Sequence, residues 1–564
     1  MGGSGPSGRD VLRQAIKGQR RDVALGSLLG AGHQAGEALV PVLIGVVIDQ
    51  AVAGGDATSL LVWLAVLAVV YVGLSFSFRF GARAGERAAE QAAHILRVRL
   101  VTRVVDPRGG AEDGRLPGAL TSIATEDAKR VGTVAMAVMF GFSALMGLLV
   151  GAVVLLRISI PLGLVVLVGT PVLLLAGHLL SKPLERRSEA EQERTAHASG
   201  VAADLVTGLR VLKGIGAESA AVARYRRTSR DSLVATLRAA RAEAVQNGLV
   251  LTLTGVFIAV VALVGGRLAV EGDISLGQLV SAVGLALFLL GPLEVFSWVN
   301  TDFAQARASA TRIAGVLAAP PGVEPGGARL PERLRGALRL RGVGHGSLRG
   351  IDLDVAPGEV LGVAATDPAD ATALLRCLSR QADPDTGVIE LDGVPLRDLD
   401  PADVRTAMLV AEHDADLFEG TLRGNVAAAA SDPEAVLAAM AAAGADEVAL
   451  AVPRGGDTAV SERGRSLSGG QRQRVALARA LAADRPVLVV HDPTTAVDAV
   501  TEARIAAGVR DLRRGRTTIL VTTSPALLAV ADRVALLDGG RIADTGPHAD
   551  LVERHAAYRT AVLS

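Results

Sequence analysis

Long apolar runs alternate with polar stretches along the first 300 residues of the chain. Each run holds roughly 20 residues or more, which is enough for a helix to cross a hydrocarbon core of ~30 Å. Six spans are predicted in this way: Val23–Val52, Leu60–Phe80, Gly132–Leu156, Ile160–Leu180, Gly248–Val270 and Leu276–Val299. The pattern therefore predicts an α-helical membrane domain with six spans.

The connections between the predicted spans alternate between short and long. Those after spans one, three and five are short, whereas Gly81–Val131 and Ser181–Asn247 are long, polar and rich in arginine. These two segments contain few helix breakers, so we expect helices that continue well beyond the membrane. Basic residues precede the first span, as at Arg20, and follow the second, as at Arg83. The positive-inside rule then predicts that the long segments and the C-terminal region are cytoplasmic.

Four ionisable residues fall within the predicted spans, namely His33, Glu37, His178 and Glu294. Such residues usually face a bundle interior or a water-filled cavity and are candidates for functional sites. Hydrogen bonds between helices, or a position near the membrane interface, explain them equally well. They therefore predict no particular substrate.

Beyond residue 317 the pattern changes from long apolar runs to short strands and helices. Ala318–Pro331 is rich in proline and glycine, which is typical of a linker. Three short strands are predicted after it: Leu338–Leu340, Ile351–Val355 and Val360–Val363. A chain of 564 residues also suggests two or three domains. A second, α/β domain is therefore expected behind the membrane domain.

Net charge and cysteine content limit the kinds of partner and of disulfide bond that are expected. Basic and acidic residues balance at 58 each, so no nucleic-acid partner is expected. The single cysteine, Cys377, excludes an intramolecular disulfide and lies in an apolar run, where we expect a buried structural thiol. Residues 1–8 are small and polar, and no signal peptide is predicted.

The strongest motif is Leu467–Arg474, which reads LSGGQRQR. LSGGQ alone is weak, but here Ser461–Gly464 precedes it, and Val487–Thr494 and Thr495–Asp498 follow it. At this spacing the four segments resemble the X-loop, signature, Walker B strand and D-loop of the ABC exporter family. The resemblance covers almost the whole chain. The family's first coupling region resembles Gly118–Ser122, and its second resembles Leu205–Lys213.

The chain is thus identified by resemblance as a half-transporter of the ABC exporter family. The resemblance implies an α-helical six-span membrane domain with the ABC exporter fold, followed by an α/β P-loop-type ABC ATPase domain. The expected regions are an N-terminal cytoplasmic segment, a membrane domain, a linker and an ATPase domain, at residues 1–22, 23–310, 311–335 and 336–564.

The resemblance also shows where the chain departs from the family. In the phosphate-binding loop, Ala365 and Asp370 stand at the first and last glycines, and Ala371 stands at the lysine that reaches the β- and γ-phosphates. No lysine occurs after Lys213. Only Thr372, at the hydroxyl that binds Mg²⁺, remains as a weak remnant, so the chain is expected to hold no metal ion of its own.

Two further changes oppose phosphate binding at this loop. Pro368 removes an amide donor, and Asp370 is expected to place a carboxylate where the polyphosphate would lie. Loss of the lysine contact forfeits ~1.5–3 kcal/mol. A like-charge pair at about 4 Å adds up to ~4 kcal/mol at an effective dielectric near ~20. Together these terms predict that useful ATP binding at this loop is abolished.

The hydrolytic positions are altered as well. By resemblance, His491 stands at the aspartate that organises Mg²⁺, Asp492 at the catalytic glutamate and Thr523 at the switch histidine. Glu412 and His413 stand where the family has its Q-loop glutamine. No catalytic residue acting in cis is therefore expected.

The residues that act on a partner's nucleotide are retained. The resemblance implies that five residues contact ATP held by a second subunit: Ser468, Gly469, Gly470, Gln471 and Asp498. ATP and Mg²⁺ would then be bound mainly by that partner, a second ABC half-transporter with intact Walker A, Walker B and switch histidine. The altered residues are those that would act on the chain's own nucleotide, in cis. Unconstrained sequence drift would be expected to alter the signature as readily as the phosphate loop.

These observations predict the degenerate-site subunit of a heterodimeric, ATP-driven exporter in a bacterial inner membrane, with its ATPase domain cytoplasmic. Two alternatives stay open. An importer with an exporter-like fold, for example for a siderophore-type substrate, has the same motifs. A non-hydrolysing membrane scaffold is the other alternative, although the intact signature disfavours it. The sequence does not identify the transported substrate.

Overall fold

The computed structural model describes residues 5–413, 416–430 and 432–563, apart from the side chains of residues 180–186. Residues 1–4 of the predicted N-terminal segment lie outside this range. Contacts divide the chain into two compact units. One comprises the chain up to Val101 together with Leu116–Ala318, and the other comprises Thr102–Arg115 together with the chain from Ala319 onward.

The first unit is built from helices joined by short turns. Its helices are α1 (Gly8–Gly18), α2 (Arg20–Val47), α3 (Ala57–Val104), α4 (Pro117–Ser122), α5 (Ala128–Ile158), α6 (Ile160–Thr207), α7 (Leu209–Gly214), α8 (Glu218–Glu271), α9 (Leu276–Phe288) and α10 (Leu290–Leu317). Single π-helical turns extend α2 and precede α5, at Ile48–Val52 and Ile123–Asp127.

Among the described residues, six helical stretches are long and apolar enough to cross a membrane, which confirms the predicted number of spans. They are Arg20–Val52, Ala57–Val104, Pro117–Ile158, Ile160–Leu179, Glu218–Glu271 and Leu276–Leu317. Helices α3 and α6 each have 48 residues and α8 has 54. At ~1.5 Å per residue these helices are about twice as long as a ~30 Å hydrocarbon core is thick. The predicted extension of helices beyond the membrane is therefore confirmed.

One part of that prediction is wrong. The segment Gly81–Val131 is not helical throughout, because α3 ends at Val104 and α4 begins only at Pro117. Pro107 lies in the break, and Gly109 and Gly110 follow it with φ values of 65° and 85°. Proline and residues with positive φ cannot continue a right-handed helix, which explains the interruption.

Close packing between helices depends on small residues. A Cβ atom on Gly45 of α2 would lie 2.3 Å from the carbonyl oxygen of Gly277 in α9, and one on Gly132 of α5 would lie 2.4 Å from that of Ala89 in α3. Glycine is required at both positions because the backbones approach too closely for a side chain. Such contacts are the usual means by which membrane helices associate, since lipid offers no hydrophobic driving force.

The described residues of the second unit form two main sheets. The larger has six strands in the order β12-β11-β3-β10-β9-β6, and the smaller is antiparallel with the order β2-β1-β4-β5. The strands are β1 (Leu338–Gly344), β2 (Ile351–Val355), β3 (Val360–Ala365), β4 (Thr386–Leu391), β5 (Val394–Pro395), β6 (Met408–Ala411), β7 (Gly420–Thr421), β8 (Ala459–Val460), β9 (Val487–His491), β10 (Thr517–Val521), β11 (Arg533–Asp538) and β12 (Arg541–Gly546).

Helices cover the larger sheet and connect its strands. They are α11 (Pro368–Leu378), α12 (Pro401–Ala407), α13 (Leu422–Ala427), α14 (Pro433–Ala442), α15 (Ala445–Leu450), α16 (Gly469–Ala482), α17 (Ala499–Leu512), α18 (Pro525–Ala529), α19 (His548–Arg554) and α20 (Ala556–Leu563). The predicted α/β domain is therefore confirmed.

The central strands bring the candidate functional segments to one edge of the sheet. Strands β3, β10, β9 and β6 run parallel. The residues of β3, β10 and β9 are mostly apolar and buried, whereas β6 is partly buried. Parallel strands buried on both faces are typical of a sheet covered by helices on each side. Because parallel strands end at the same edge, the segments that follow β3, β6, β9 and β10 lie there together.

Candidate functional site

The phosphate-loop position begins where β3 ends, and α11 follows it after two residues. Asp367 is the N-cap of α11, and its Oδ1 atom accepts a hydrogen bond from the Ala369 amide at 2.8 Å. Pro368 occupies the first position of the helix and has no amide hydrogen to offer. The helix end that would face a phosphate is therefore capped by a carboxylate of the chain itself.

The Asp370 side chain does not lie where we expected it. It is only 2% exposed, and its Oδ2 atom accepts a hydrogen bond from the Gly540 amide at 2.8 Å. Gly540 belongs to the turn between β11 and β12. The prediction that Asp370 places its carboxylate in the polyphosphate position is thus wrong, because the buried amide holds the side chain inside the domain. Asp367 is the exposed acid at this helix end.

Of the two residues after Asp370, the first is buried and the second makes a hydrogen bond within its own helix. Ala371, at the lysine position, is buried at 3% exposure and has no polar atoms in its side chain. Thr372 is exposed, and its hydroxyl donates a hydrogen bond to the Pro368 carbonyl oxygen at 2.9 Å. The loop therefore offers a capped helix end and no cation to a polyphosphate. These residues do not fit the phosphates of a nucleotide or its Mg²⁺ ion.

The altered hydrolytic residues follow β9 and β10. His491 Nε2 lies 3.7 Å from Asp492 Oδ2, and the rings of His491 and His413 are 5.9 Å apart between centroids. Burial lowers the pKa of His491, and the nearby Asp492 carboxylate opposes that change. Asp492 has a positive φ of 42°. Thr523 is exposed just beyond β10.

A cavity of about 230 Å³ adjoins these residues, between the ends of β6 and β9 and helix α16. Glu412, His413 and His491 line it together with Gln473 and Arg479. Burial lowers the pKa of Arg479, and its guanidinium lies 5.3 Å from the centroid of the Phe418 ring. Sequence reasoning missed Arg479, because an arginine eight residues beyond the last residue of LSGGQ gives no sign that it is partly buried.

The signature segment forms the N-terminus of α16. Ser468 is the N-cap, and its hydroxyl accepts a hydrogen bond from the Gln471 amide at 3.3 Å, while the Gln471 side chain accepts one from the Ser468 amide at 2.9 Å. This reciprocal pair is a capping box. Gly469 and Gly470 follow in a first turn that contains no acidic residue. The helix end therefore presents amides and a neutral hydroxyl, which suit a phosphate.

The D-loop packs directly against the signature. The Gln473 side chain donates to the Thr495 hydroxyl at 2.6 Å and accepts from the Ala496 amide at 2.8 Å. A Cβ atom on Gly470 would lie 2.5 Å from the Ala496 carbonyl oxygen, so only glycine fits. Sequence reasoning missed Gln473, although the second glutamine of LSGGQRQR was the available signal.

Asp498, the last predicted residue of this group, caps α17. Its carboxylate accepts a hydrogen bond from the Thr501 amide at 3.0 Å, and hydrogen bonds from Thr501 hold its pKa below the usual value. The structure thus joins the signature to Thr495 and Ala496 by direct contacts, and it places Asp498 two residues beyond them on the same loop. The retained residues are thus linked through the D-loop, with direct contacts at Thr495 and Ala496.

Two family models match the chain. The one described as the ABC transporter transmembrane region covers residues 23–293, and the one described as ABC transporter covers residues 348–495. An ABC ATPase domain implies ATP and Mg²⁺ as ligands of the family.

Curated relatives and a solved structure agree. A multidrug efflux ATP-binding/permease protein of Mycobacterium tuberculosis is 33% identical over 96% of this chain and 46% of its own length. The chain therefore spans about half the length of this relative. An ATP-dependent lipid A-core flippase of Thiobacillus denitrificans is 31% identical over 70% of each protein.

The structure of a bacterial Atm1-family ABC exporter with ATP bound superposes with a TM-score of 0.74 at 23% identity, covering 98% of both chains. That similarity shows the fold. The family models and the similarity to the flippase show the family to which the chain belongs. This chain is an integral membrane protein of the ABC transporter family, with the exporter fold of a six-span helical region followed by an ABC ATPase domain.

Proposed function

We propose that this chain is the degenerate-site half of a heterodimeric, ATP-driven exporter. Its signature, Ser468 to Gln471, and its D-loop residue Asp498 would close over ATP and Mg²⁺ bound by a second half-transporter with intact Walker A, Walker B and switch histidine. Its own phosphate loop would bind no nucleotide. Hydrolysis at the single composite site would then drive transport across the membrane.

One contrast carries this proposal. Helix α11 begins with the carboxylate of Asp367, which accepts a hydrogen bond from the Ala369 amide, whereas α16 begins with the neutral Ser468 and two glycines. A helix N-terminus binds an anion through its free amides and through the positive end of the helix dipole. A carboxylate of the chain itself can take the place of that anion. The chain thus keeps an anion site at the start of α16, which would contact the partner's ATP. At the start of α11, which would bind its own ATP, a carboxylate of the chain takes that place.

Export is the preferred direction because the relatives are named for efflux and for lipid flipping. An importer with the same fold is the second candidate, and uptake and efflux measured in cells with and without the chain would separate the two. A non-hydrolysing scaffold is the third. It is disfavoured by the intact contacts between Gln473, Thr495 and Ala496, which a scaffold does not need.

The test begins with purification of the chain from its native membrane and identification of co-purifying proteins by mass spectrometry. A stoichiometric partner with an intact phosphate loop and catalytic glutamate is expected. In the purified complex, Ser468→Ala should lower ATPase activity about tenfold, since a cap and a phosphate donor worth ~1 kcal/mol or more are lost.

Thr372→Ala is the matched control, because it removes a hydroxyl from the corresponding helix of the chain's own loop. It should leave ATPase activity unchanged. Purification of the chain alone or as a homodimer would overturn the proposal, because no competent site could then be assembled. Equal losses from Ser468→Ala and Thr372→Ala would overturn the assignment of the working site.

A further inference from the structure

The segment that follows α10, residues 319–324, has the proline and glycine content of a linker but is held by hydrogen bonds. The amides of Gly322 and Val323 both donate to the carbonyl oxygen of Arg108, at 2.9 and 3.2 Å. Val323 is only 3% exposed. These residues, named the linker segment below, are therefore packed and paired although their composition is typical of a loop.

Arg380 holds the far end of the linker segment. Its side chain is only 1% exposed and donates hydrogen bonds to the carbonyl oxygens of Glu324, at 2.6 Å, and Arg397, at 2.8 Å. A buried guanidinium needs such acceptors, because an unpaired charge inside a protein is costly. The linker segment is thus attached to the body of the ATPase unit.

The loop between α3 and α4 supplies the other side of this contact. Its residues 105–115 belong to the ATPase unit by their contacts. The Arg108 guanidinium donates to the Asp106 carboxylate at 2.6 Å, and this hydrogen bond lowers the pKa of Asp106 to about 2. Gly110 has a φ of 85°, and a Cβ atom there would lie 2.2 Å from the Pro320 carbonyl oxygen. Only glycine therefore allows the loop to approach the linker segment so closely.

Arg103, in the last turn of α3, joins the loop to the linker segment. Its Nη1 atom donates to the Gly109 carbonyl oxygen at 3.0 Å. Its Nη2 atom donates to the carbonyl oxygens of Ala319 at 2.9 Å and Pro320 at 3.3 Å. A guanidinium suits this role because its planar fork holds several donors in a fixed geometry, which a lysine ammonium does not.

The position of Arg103 in the chain adds to the significance of these bonds. The chain passes between the two units three times, after Val101, after Arg115 and after Ala318. Arg103 follows the first of these crossings by two residues, and it binds the first two residues after the third. One side chain thus ties two of the three crossings together.

We propose that Arg103 is a positioning residue that makes the linker segment and the loop of residues 105–115 a rigid brace on the ATPase unit. Helix α3 is continuous over 48 residues up to Val104, so a displacement of its C-terminal end would move Arg103 and the linker segment with it. A flexible linker would absorb such a displacement. The oxygens that Arg103 binds belong to the loop and the linker segment, so its effect on ATP hydrolysis is indirect.

Hydrogen exchange of the full chain in lipid nanodiscs, without nucleotide, tests the brace. Three of the seven residues in the peptide 319–325 are prolines without an amide hydrogen, so its exchange reports mainly on Gly322, Val323 and Glu324. These amides should exchange at least about tenfold more slowly than in a synthetic peptide of the same sequence. Arg103→Ala removes the guanidinium that binds the linker segment and should speed this exchange about tenfold.

Arg99→Ala is the matched control, because it makes the same change one helical turn earlier in α3. Arg99 donates to the side chain of Gln14 in α1 at 2.7 Å, and its loss should alter the exchange of the peptide less than about twofold. Gly110→Ala leaves Arg103 in place but sets a methyl group against the Pro320 carbonyl oxygen, so it should also speed the exchange. Unprotected amides in the unmodified chain, or equal exchange rates in Arg99→Ala and Arg103→Ala, would overturn the brace.

The effect of Arg103 on hydrolysis rests on the proposed heterodimer and is measured in the purified complex. Arg103→Ala should lower kcat about threefold or more without changing KM for ATP, because it alters no group that binds nucleotide. Arg103→Lys keeps a donor for the Ala319 carbonyl oxygen and should recover part of the rate. An unchanged kcat, or a raised KM, would overturn the positioning role. Failure to isolate a complex would overturn the heterodimer, and the exchange experiment would still decide whether the brace exists.

Discussion

Two helix N-termini of the ATPase unit, those of α11 and α16, differ in charge although they share a geometry. Both helices begin with an N-cap side chain that accepts a hydrogen bond from an amide of the first turn. On α11 the cap is the carboxylate of Asp367, and on α16 it is the hydroxyl of Ser468. A helix dipole therefore does not by itself make an anion site, because the side chains of the first turn determine which amides remain free to bind an anion.

The α11 end is rebuilt with internal contacts. Asp367 takes the amide of Ala369, and Asp370 takes that of Gly540, so two carboxylates make hydrogen bonds inside the domain. A charged cap at a helix N-terminus stabilises the helix, typically by ~1 kcal/mol. These two hydrogen bonds therefore stabilise the ATPase unit at the α11 end.

The largest expected effect comes from giving α16 the charge of α11. In Gly469→Asp a carboxylate enters the first turn, and the new Cβ would lie 3.4 Å from the Ala496 Cβ, an ordinary contact. The change therefore acts through charge and not through a clash. A like-charge pair at about 4 Å costs up to ~4 kcal/mol at an effective dielectric near ~20. ATPase activity of the purified complex should fall on the order of 100-fold or more.

Gly469→Asn is the control for that experiment, because it has the same shape without the charge. It should retain most of the ATPase activity. If the Asp and Asn variants lose activity equally, the difference between the two helix ends is one of shape, and the electrostatic interpretation is wrong.

The second effect concerns stability at the α11 end. Asp370→Ala leaves the Gly540 amide without the acceptor that it has now. An unsatisfied buried donor costs ~1–3 kcal/mol, and ~1 kcal/mol lowers the melting temperature of a domain of this size by ~2–4 °C. Scanning calorimetry should therefore detect a clear decrease in the melting temperature of the ATPase unit.

Asp370→Asn keeps an acceptor oxygen in the same place, so its melting temperature should stay close to that of the unmodified chain. A full loss in Asp370→Asn would indicate that the negative charge matters and not the hydrogen bond. An unchanged melting temperature in Asp370→Ala would contradict the internal role of this carboxylate.

The third effect, on α16, tests the connection between the signature and the D-loop. Gln473→Ala removes both hydrogen bonds that its side chain makes, to the Thr495 hydroxyl and from the Ala496 amide. Each is worth ~0.5–1.5 kcal/mol, so ATPase activity of the complex should fall about tenfold. Gln473→Glu should retain most of the activity, because a carboxylate accepts from both groups and the Thr495 hydroxyl can reverse its direction. Similar losses in both variants would contradict this account.

The sequence predicted the features that depend on local pattern. The six spans follow from the length of apolar runs, which the thickness of a bilayer sets. The capping box of Ser468 and Gln471 follows from residue types at a fixed spacing. The roles of the retained signature and D-loop residues remain predictions, which the first and third experiments address.

Features that depend on tertiary contacts were not predictable. The partner of Asp370 is Gly540, 170 residues later in the chain, so no local pattern could show that this carboxylate is buried. His33 likewise contacts the carbonyl oxygen of Leu74 in α3, 41 residues later in the chain. The break after Val104 was missed because the glycines near Pro107 lie in a segment otherwise rich in helix formers.

The smallest expected effect is a pH dependence at His491, one of the altered positions of the chain's own site. Burial lowers the pKa of His491 below its usual 6.5, so the unfolded chain binds a proton more readily there than the folded chain. Stability is then complete above pH ~6.5 and decreases as the pH falls toward the folded pKa. His491→Asn cannot be protonated in this range, so its melting temperature should decrease less between neutral and mildly acidic pH. The difference should be a few degrees at most, since ~1 kcal/mol corresponds to ~2–4 °C. Parallel decreases in both proteins would assign the acid sensitivity to other groups, and the burial of His491 would then have no measurable consequence for folding.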